Sequence, residues 1–131
     1  YAKDNNLDIL GRIVSTAVQG CPPELMGLGP IEASKKALER ANLSIKDIDI
    51  IELNEAFASQ SLACIKDLGI EEKKVNLDGG ALALGHPLGA TGARITGKAA
   101  EILRREGKKY ALSTQCIGLG MGIATVIESV N

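Results

Sequence analysis

Two residues able to move protons stand in glycine-rich turns: His86, the only histidine, and Cys116, one of three cysteines. His86 sits in Gly79-Gly80-Ala81-Leu82-Ala83-Leu84-Gly85-His86-Pro87-Leu88-Gly89-Ala90-Thr91-Gly92-Ala93-Arg94, and Cys116 in Gln115-Cys116-Ile117-Gly118-Leu119-Gly120-Met121-Gly122. Imidazole and thiol exchange protons close to neutral pH, while glycines leave backbone N–H groups open to a developing oxyanion. The pair of turns predicts two acid/base stations of an acyl-transfer site.

Each residue also has a plainer reading. His86, between Gly85 and Pro87, is either a partly exposed turn residue or an imidazole aimed into a cleft by an unusual backbone. Cys116 is either a small buried hydrophobe or, beside approachable amides, a nucleophile or a proton carrier. Cys21 and Cys64 lack such a setting and are assigned to structure. Asn54-Glu55-Ala56-Phe57-Ala58 is a third candidate turn, in which Asn54 and Glu55 suit an ordinary polar turn and Phe57 a core anchor, although an amide at Asn54 can also hold a water or a substrate oxygen. Gly118-x-Gly120-x-Gly122 lacks G-x-G-x-x-G spacing and precedes a strand, so it is not a phosphate cradle. Gly27-Leu28-Gly29-Pro30 reads as a helix entry.

The elements that must position these turns follow from periodicity. Arg12-Ile13-Val14-Ser15-Thr16-Ala17-Val18 is a β-branched strand ending at Gly20. Ala33, Ala37, Leu38 and Ala41 mark a helix entered at Pro30 and stopped near Asn42. Ser44 to Asp47 has the form of a capping box, and a buried strand follows over Ile48 to Leu53. Ala58, Leu62 and Ile65 form a helical face closed by Gly69. A short strand is expected at Val75-Asn76-Leu77, then a helix from Thr91 with Ile95, Ala99, Ile102 and Leu103 inward, closed by Gly107. Lys109 to Thr114 and Met121 to Ile127 are strands joined as a hairpin across the Cys116 turn. Alternation of strands and helices implies crossovers and a sheet covered on its faces. In such sheets, sites collect where strands feed helices.

A chain of 131 residues that is 45% hydrophobic builds one domain with its own core. Fifteen Lys and Arg against sixteen Asp and Glu leave a formal charge of -1, which offers no field for nucleic acid or an anionic membrane. Fifteen glycines and three aromatics predict close packing of small and aliphatic side chains. Three scattered cysteines suggest neither a disulfide framework nor a zinc site, and a reducing, cytoplasmic compartment is expected. No apolar run reaches the ~18 residues of a membrane span. Tyr1 stands where an initiator methionine would, so sequence before it is expected.

Taken in order, Asn54-Glu55-Ala56-Phe57, Gly85-His86-Pro87-Leu88-Gly89 and Cys116-Ile117-Gly118 with Gly120-Met121-Gly122 resemble the thiolases across essentially the whole chain. The likeness is to the C-terminal domain of the acetyl-CoA acetyltransferase type. It implies an α/β, thiolase-like βαβαβαββ domain over residues 1–131, a mixed sheet covered by helices. It also implies an N-terminal domain, absent here, that carries the acyl-bearing cysteine and without which the chain is inactive. By the same resemblance His86 activates that cysteine and helps form one oxyanion hole with a water held on Asn54. Cys116 is the acid and base at the α-carbon of the second acyl-CoA, Gly118 N–H serves a second oxyanion hole, and Met26 and Phe57 line the acyl pocket. The implied reaction is Claisen condensation of two acetyl-CoA to acetoacetyl-CoA, or its reverse thiolysis. Coenzyme A thioesters are the substrates, with no tightly bound cofactor and no metal, and the full-length form is a homo-oligomer.

Asn54 stands where a decarboxylating condensing enzyme would have histidine, which points to the non-decarboxylating branch. Leu119 replaces a glycine frequent in the family and is expected to narrow the turn beside Gly118. Asp78 replaces an asparagine and is expected outside the site. The competing reading is a separate domain that binds acyl-CoA or a partner without catalysis; the presence of Asn54, His86 and Cys116 together counts against it. An isolated half also exposes apolar surface, so self-association is expected.

Overall fold

Local signals set most helix ends where the spacing predicts them. The computed structural model describes residues 1–130. Helix α1 spans Gly29–Ala41 with Pro30 in its first turn, and Asn42 takes a left-handed conformation (φ 53°) that returns its N–H to Glu39 and Leu38 carbonyls. Helices α2 (Ala58–Leu68) and α4 (Thr91–Glu106) close in the same way on Gly69 and Gly107. Between α2 and α4 lies α3, a single turn over Ala81–Leu84, too short to leave a periodic signal. The Ser44 and Asp47 capping box forms as predicted, around the short 3-10 turn Ile45–Asp47.

Four strands, β1 (Arg12–Gly20), β2 (Ile50–Leu53), β3 (Tyr110–Ile117) and β4 (Met121–Glu128), form one sheet in the order β1-β4-β3-β2. β2 and β3 run parallel, whereas β4 is antiparallel to both β1 and β3, so the sheet is mixed. The hairpin of β3 and β4 therefore occupies the centre, with α1 crossing from one edge strand to the other. The β1 register slips between Ile13 and Ser15 through a bulge.

The strand expected at Val75 to Leu77 does not form. Val75 makes one isolated parallel bridge to Ile51, and Asn76 then turns left-handed (φ 48°), ending the extended path. Asn76 instead presents its side chain to β2: Oδ1 accepts from Leu53 N–H and Nδ2 donates to Leu53 O. A side-chain amide thus does for the edge of β2 what a neighbouring backbone would have done.

Alternation divides the core into two layers. On one face, α1 and α2 bury Ile31, Ala33, Leu38, Cys64 and Leu68 against Ile51, Leu53, Leu112, Ala124 and Val126. On the other, α4 buries Ala99, Ala100, Ile102 and Leu103 against Ile50, Ala111 and Ile127. Each fully buried Leu or Ile contributes roughly 1.5–3 kcal/mol by leaving water. The first layer depends on a backbone contact: a Cβ on Gly122 would stand 2.0 Å from Gly29 O, so the N-terminus of α1 rests directly on β4. Gly122 is also the register partner of Cys116, which places that helix entry beside the cysteine turn.

Candidate active site

β2 and β3 run parallel, so Asn54, the residue after β2, and Cys116, the penultimate residue of β3, emerge at the same carboxyl end of the sheet. Asn54 N–H bonds Thr114 O at 3.0 Å, which anchors the first of these stations to the second strand. His86 reaches this end from the loop before α4, and Asn54 Nδ2 lies 3.3 Å from His86 Nε2. The far side of the ring is held as well, with Nδ1 2.8 Å from Thr91 Oγ1.

The network assigns the tautomer. Thr91 Oγ1 donates its single proton to Pro87 O at 3.0 Å, so toward the ring it can only accept, and Nδ1 carries the hydrogen. Nε2 is then the lone-pair nitrogen, which accepts from Asn54 Nδ2–H and can take a proton once that hydrogen bond yields. Thr91 is fully buried (0% exposed) in the first turn of α4, a rigid mount for the imidazole. Sequence reasoning did not single out Thr91; its position five residues after His86 in the turn was the available signal.

Replacing Thr91 by valine conserves shape and removes the acceptor. The expected result is mixed tautomers at His86, seen as a change in its ring 15N shifts, which are free of overlap because the chain has one histidine. Stranding Nδ1–H and Pro87 O should also cost roughly 1–3 kcal/mol of stability. Thr91→Ser, which keeps the hydroxyl, should restore the single tautomer.

Glu55 has a structural task in the same loop. Its Oε1 accepts from Asn76 Nδ2 at 2.8 Å and its Oε2 from Leu82 N–H at 3.0 Å, tying the end of β2 to the turn that leads to His86. Gly80 is the close approach that permits this clamp, since a Cβ there would fall 2.3 Å from the Glu55 carboxyl carbon. Asp78 lies outside the immediate site, as expected, and forms ion pairs with Arg105 and Lys98 of α4. These pairs hold its carboxyl well below the usual range, with the Arg105 hydrogen bonds the larger cause.

Cys116 is half-buried at the end of β3. Burial pushes its thiol upward, with a smaller opposing effect from a backbone hydrogen bond and a further push from Cys21. A thiol so held is protonated at neutral pH, which suits an acid that gives its proton to a carbanion better than a resting thiolate nucleophile. Among the described residues no hydrogen bond joins Cys116 to His86; the two stations approach one end of the sheet from opposite sides. Gly118 opens the hairpin turn with no atom within 4 Å of where a Cβ would stand, leaving its surroundings clear. Leu119 does not narrow this turn: its side chain is 96% exposed, and its φ of 68° makes backbone strain the consequence of losing glycine there.

Met26 lies in the 3-10 segment Pro23–Leu28, and Phe57 caps α2. Phe57 is 64% exposed and is not a core anchor; Met26 is exposed too. Gly27 O accepts from Cys64 Sγ–H at 3.6 Å, which docks the Met26 segment on α2, the helix that Phe57 opens.

The sequence profile of the family described as "Thiolase, C-terminal domain" matches residues 7–129. The chain belongs to this family. It is 58% identical over 130 residues to a 3-ketoacyl-CoA thiolase of Aliivibrio salmonicida, covering 97% of this chain and 34% of that protein. A 3-ketoacyl-CoA thiolase of Vibrio vulnificus is 55% identical over 130 residues, again with 97% and 34% covered. Among solved structures, human mitochondrial 3-ketoacyl-CoA thiolase superposes with a TM-score of 0.96 at 50% identity, over 99% of this chain and 33% of that one. The acetyl-CoA acetyltransferase of Bacillus anthracis superposes at 0.95 with 44% identity, over 98% and 33%. The thiolase domain thus spans about a third of the length of the curated relatives it matches.

Proposed function

We propose that this thiolase domain supplies two of the three proton-handling stations for acyl transfer between coenzyme A thioesters, the third being a nucleophilic cysteine on an N-terminal domain. The observation that carries the reading is the Asn54, His86 and Thr91 relay, which leaves Nε2 as an acceptor at the sheet end where Cys116 also emerges. In the thiolytic direction, His86 Nε2 takes the proton of the nucleophilic thiol, whose sulfur attacks the 3-keto carbon of the substrate. The bond between C2 and C3 breaks, and the acetyl-CoA enolate takes the proton of the Cys116 thiol while Gly118 N–H supports its oxygen. The incoming coenzyme A thiol then gives its proton to the Cys116 thiolate and accepts the acyl group, and the nucleophile regains its proton from His86. Claisen condensation of two acetyl-CoA to acetoacetyl-CoA is the same path reversed.

The names of the relatives favour 3-ketoacyl-CoA substrates, of which acetoacetyl-CoA is the shortest; exposed Met26 and Phe57 are the residues we assign to the acyl chain. A reducing compartment suits a site that needs Cys116 as a thiol. The test is reconstitution. This chain alone is expected to show no thiolysis of acetoacetyl-CoA, and mixing it with the N-terminal two thirds of a related thiolase should produce it. In the mixture, Cys116→Ser should lower exchange of the acetyl-CoA α-protons with solvent by roughly 10²–10⁴. Turnover by the chain alone would sink the proposal, and binding of acetyl-CoA without turnover in any mixture would favour a non-catalytic domain.

A further inference from the structure

Among the described residues, the buried acceptor oxygens Glu52 Oε1, Asn54 Oδ1 and Gln115 Oε1 have no hydrogen-bond donor, and the first two lie together. These two belong to residues two apart along β2, so both side chains leave the same face of the strand. Both residues line one cavity of about 200 Å3 beside Arg94 and Lys98. Glu52 is 4% exposed and Asn54 1%, and buried polar atoms rarely go unpaired because an unmade bond there costs more than a made one contributes.

The bonds made by the donors nearby go elsewhere. Arg94 Nη2 donates to Gly85 O, Lys98 pairs with Asp78 and Glu101, and Asn76 Nδ2 serves Leu53 O and Glu55 Oε1. Asn54's own amide nitrogen faces His86. A proton on the Glu52 carboxyl itself would supply the missing donor between the two oxygens.

We propose that Glu52 is carried as the neutral acid and that its O–H, directly or across one water in the cavity, holds the Asn54 carbonyl. Glu52 is thereby a positioning residue for the amide that faces His86. That role rests on the acyl-transfer reading; the protonation and the hold on Asn54 do not.

The charges around Glu52 agree with this assignment. Burial pushes its carboxyl up to about 7, against a pull from Lys98 and Arg94 and with a smaller push from Asp78 and Glu55. Lys98 and Arg94 face it from α4, Asp78 from the turn before α3, and Glu55 from the loop after β2; its register partner on β3 is the uncharged Ser113. Lys98 is shared by two carboxylates already, so its pull is blunted. Because the folded chain keeps this proton to about 7 and the unfolded chain loses it near 4.5, stability falls as pH rises between those values and is level above them.

The experiment is a pH titration of the protein in the longest form its cell makes. Infrared spectroscopy reads the neutral carboxyl band of Glu52, identified by its absence in Glu52→Gln, and NMR reads the Asn54 side-chain amide. The band should vanish with a midpoint near neutrality, and the Asn54 signals should move with it. In Glu52→Gln, whose amide still donates, those signals should not titrate. Should that variant not fold, selective 13C labelling of glutamate carboxyls in the unaltered protein reads the same midpoint. An ionisation midpoint of about 4.3, as for an ordinary glutamate, or an Asn54 amide indifferent to it, overturns the proposal.

In the catalytic assembly, the pH profile of thiolysis should show a limb with that same midpoint, and Glu52→Gln should remove the limb. If Glu52→Gln keeps the limb, the positioning role is overturned. If the titrations hold and no assembly turns over, the acyl-transfer reading fails while the protonation and the hold on Asn54 stand.

Discussion

His86→Ala, assayed with a nucleophile-bearing N-terminal half, is expected to lower thiolysis of acetoacetyl-CoA by roughly 10²–10⁴, the range for loss of a positioned general base. The imidazole is fixed from both sides, by Thr91 at Nδ1 and by Asn54 at Nε2, so its basic lone pair points in one direction. Alanine removes that acceptor and leaves the mounts in place. His86 is half-buried on an exposed turn outside both core layers, so stability should change by roughly 1–3 kcal/mol, the cost of stranding its hydrogen bonds at Thr91 and Asn54. His86→Gln, which restores a polar group without basicity, should recover that stability and little of the rate. The decisive readout is the alkylation rate of the nucleophilic cysteine as a function of pH: loss of His86 should move the profile toward that of a free thiol. An unchanged alkylation profile together with full turnover would remove His86 from the chemistry.

The second large effect is on folding. Gly122→Ala should lower stability by more than the ~1–3 kcal/mol usual for an added methyl in a packed core. The new Cβ would have to occupy a point 2.0 Å from Gly29 O and 2.6 Å from Pro30 N, both backbone atoms of a helix entry that cannot swing aside like the end of a side chain. The ~0.4–1 kcal/mol gained by restricting the unfolded chain does not offset this. Against a total of about 5–15 kcal/mol for a domain, the fold should be close to its limit. Separating α1 from β4 would also disturb Cys116, the register partner of Gly122. Denaturant midpoints of the two proteins measure the effect; an unchanged midpoint would show that α1 is free to move.

Much of this architecture is written locally. Asn42, Gly69 and Gly107 close their helices because a left-handed residue returns its N–H to the preceding turn, an interaction that spans only a few positions. The hairpin around Cys116 is equally local, since β3 and β4 are joined by three residues. Val75 shows where such reasoning ends. A β-branched residue between a charged turn and a glycine turn has the look of a strand, but the amide of Asn76 pairs with Leu53, a residue 23 positions away, and that contact replaces the backbone ladder. The single turn Ala81–Leu84, the Glu55 clamp and the Thr91 mount were hidden for related reasons: one is too short to be periodic, and the other two are defined by partners on separate elements.

By itself the sequence determined which side chains can do chemistry, the type of most elements, and the resemblance that led to the thiolase family, because residue identity, capping and periodicity are properties of short stretches of chain. Only the tertiary structure decided that β4 lies between β1 and β3, that Asn54, His86 and Cys116 share one end of the sheet, that His86 carries its hydrogen on Nδ1, and that Glu52 is buried beside Asn54. Each of these depends on burial or on a hydrogen-bond partner distant in the chain, and neither exists until the layers have packed.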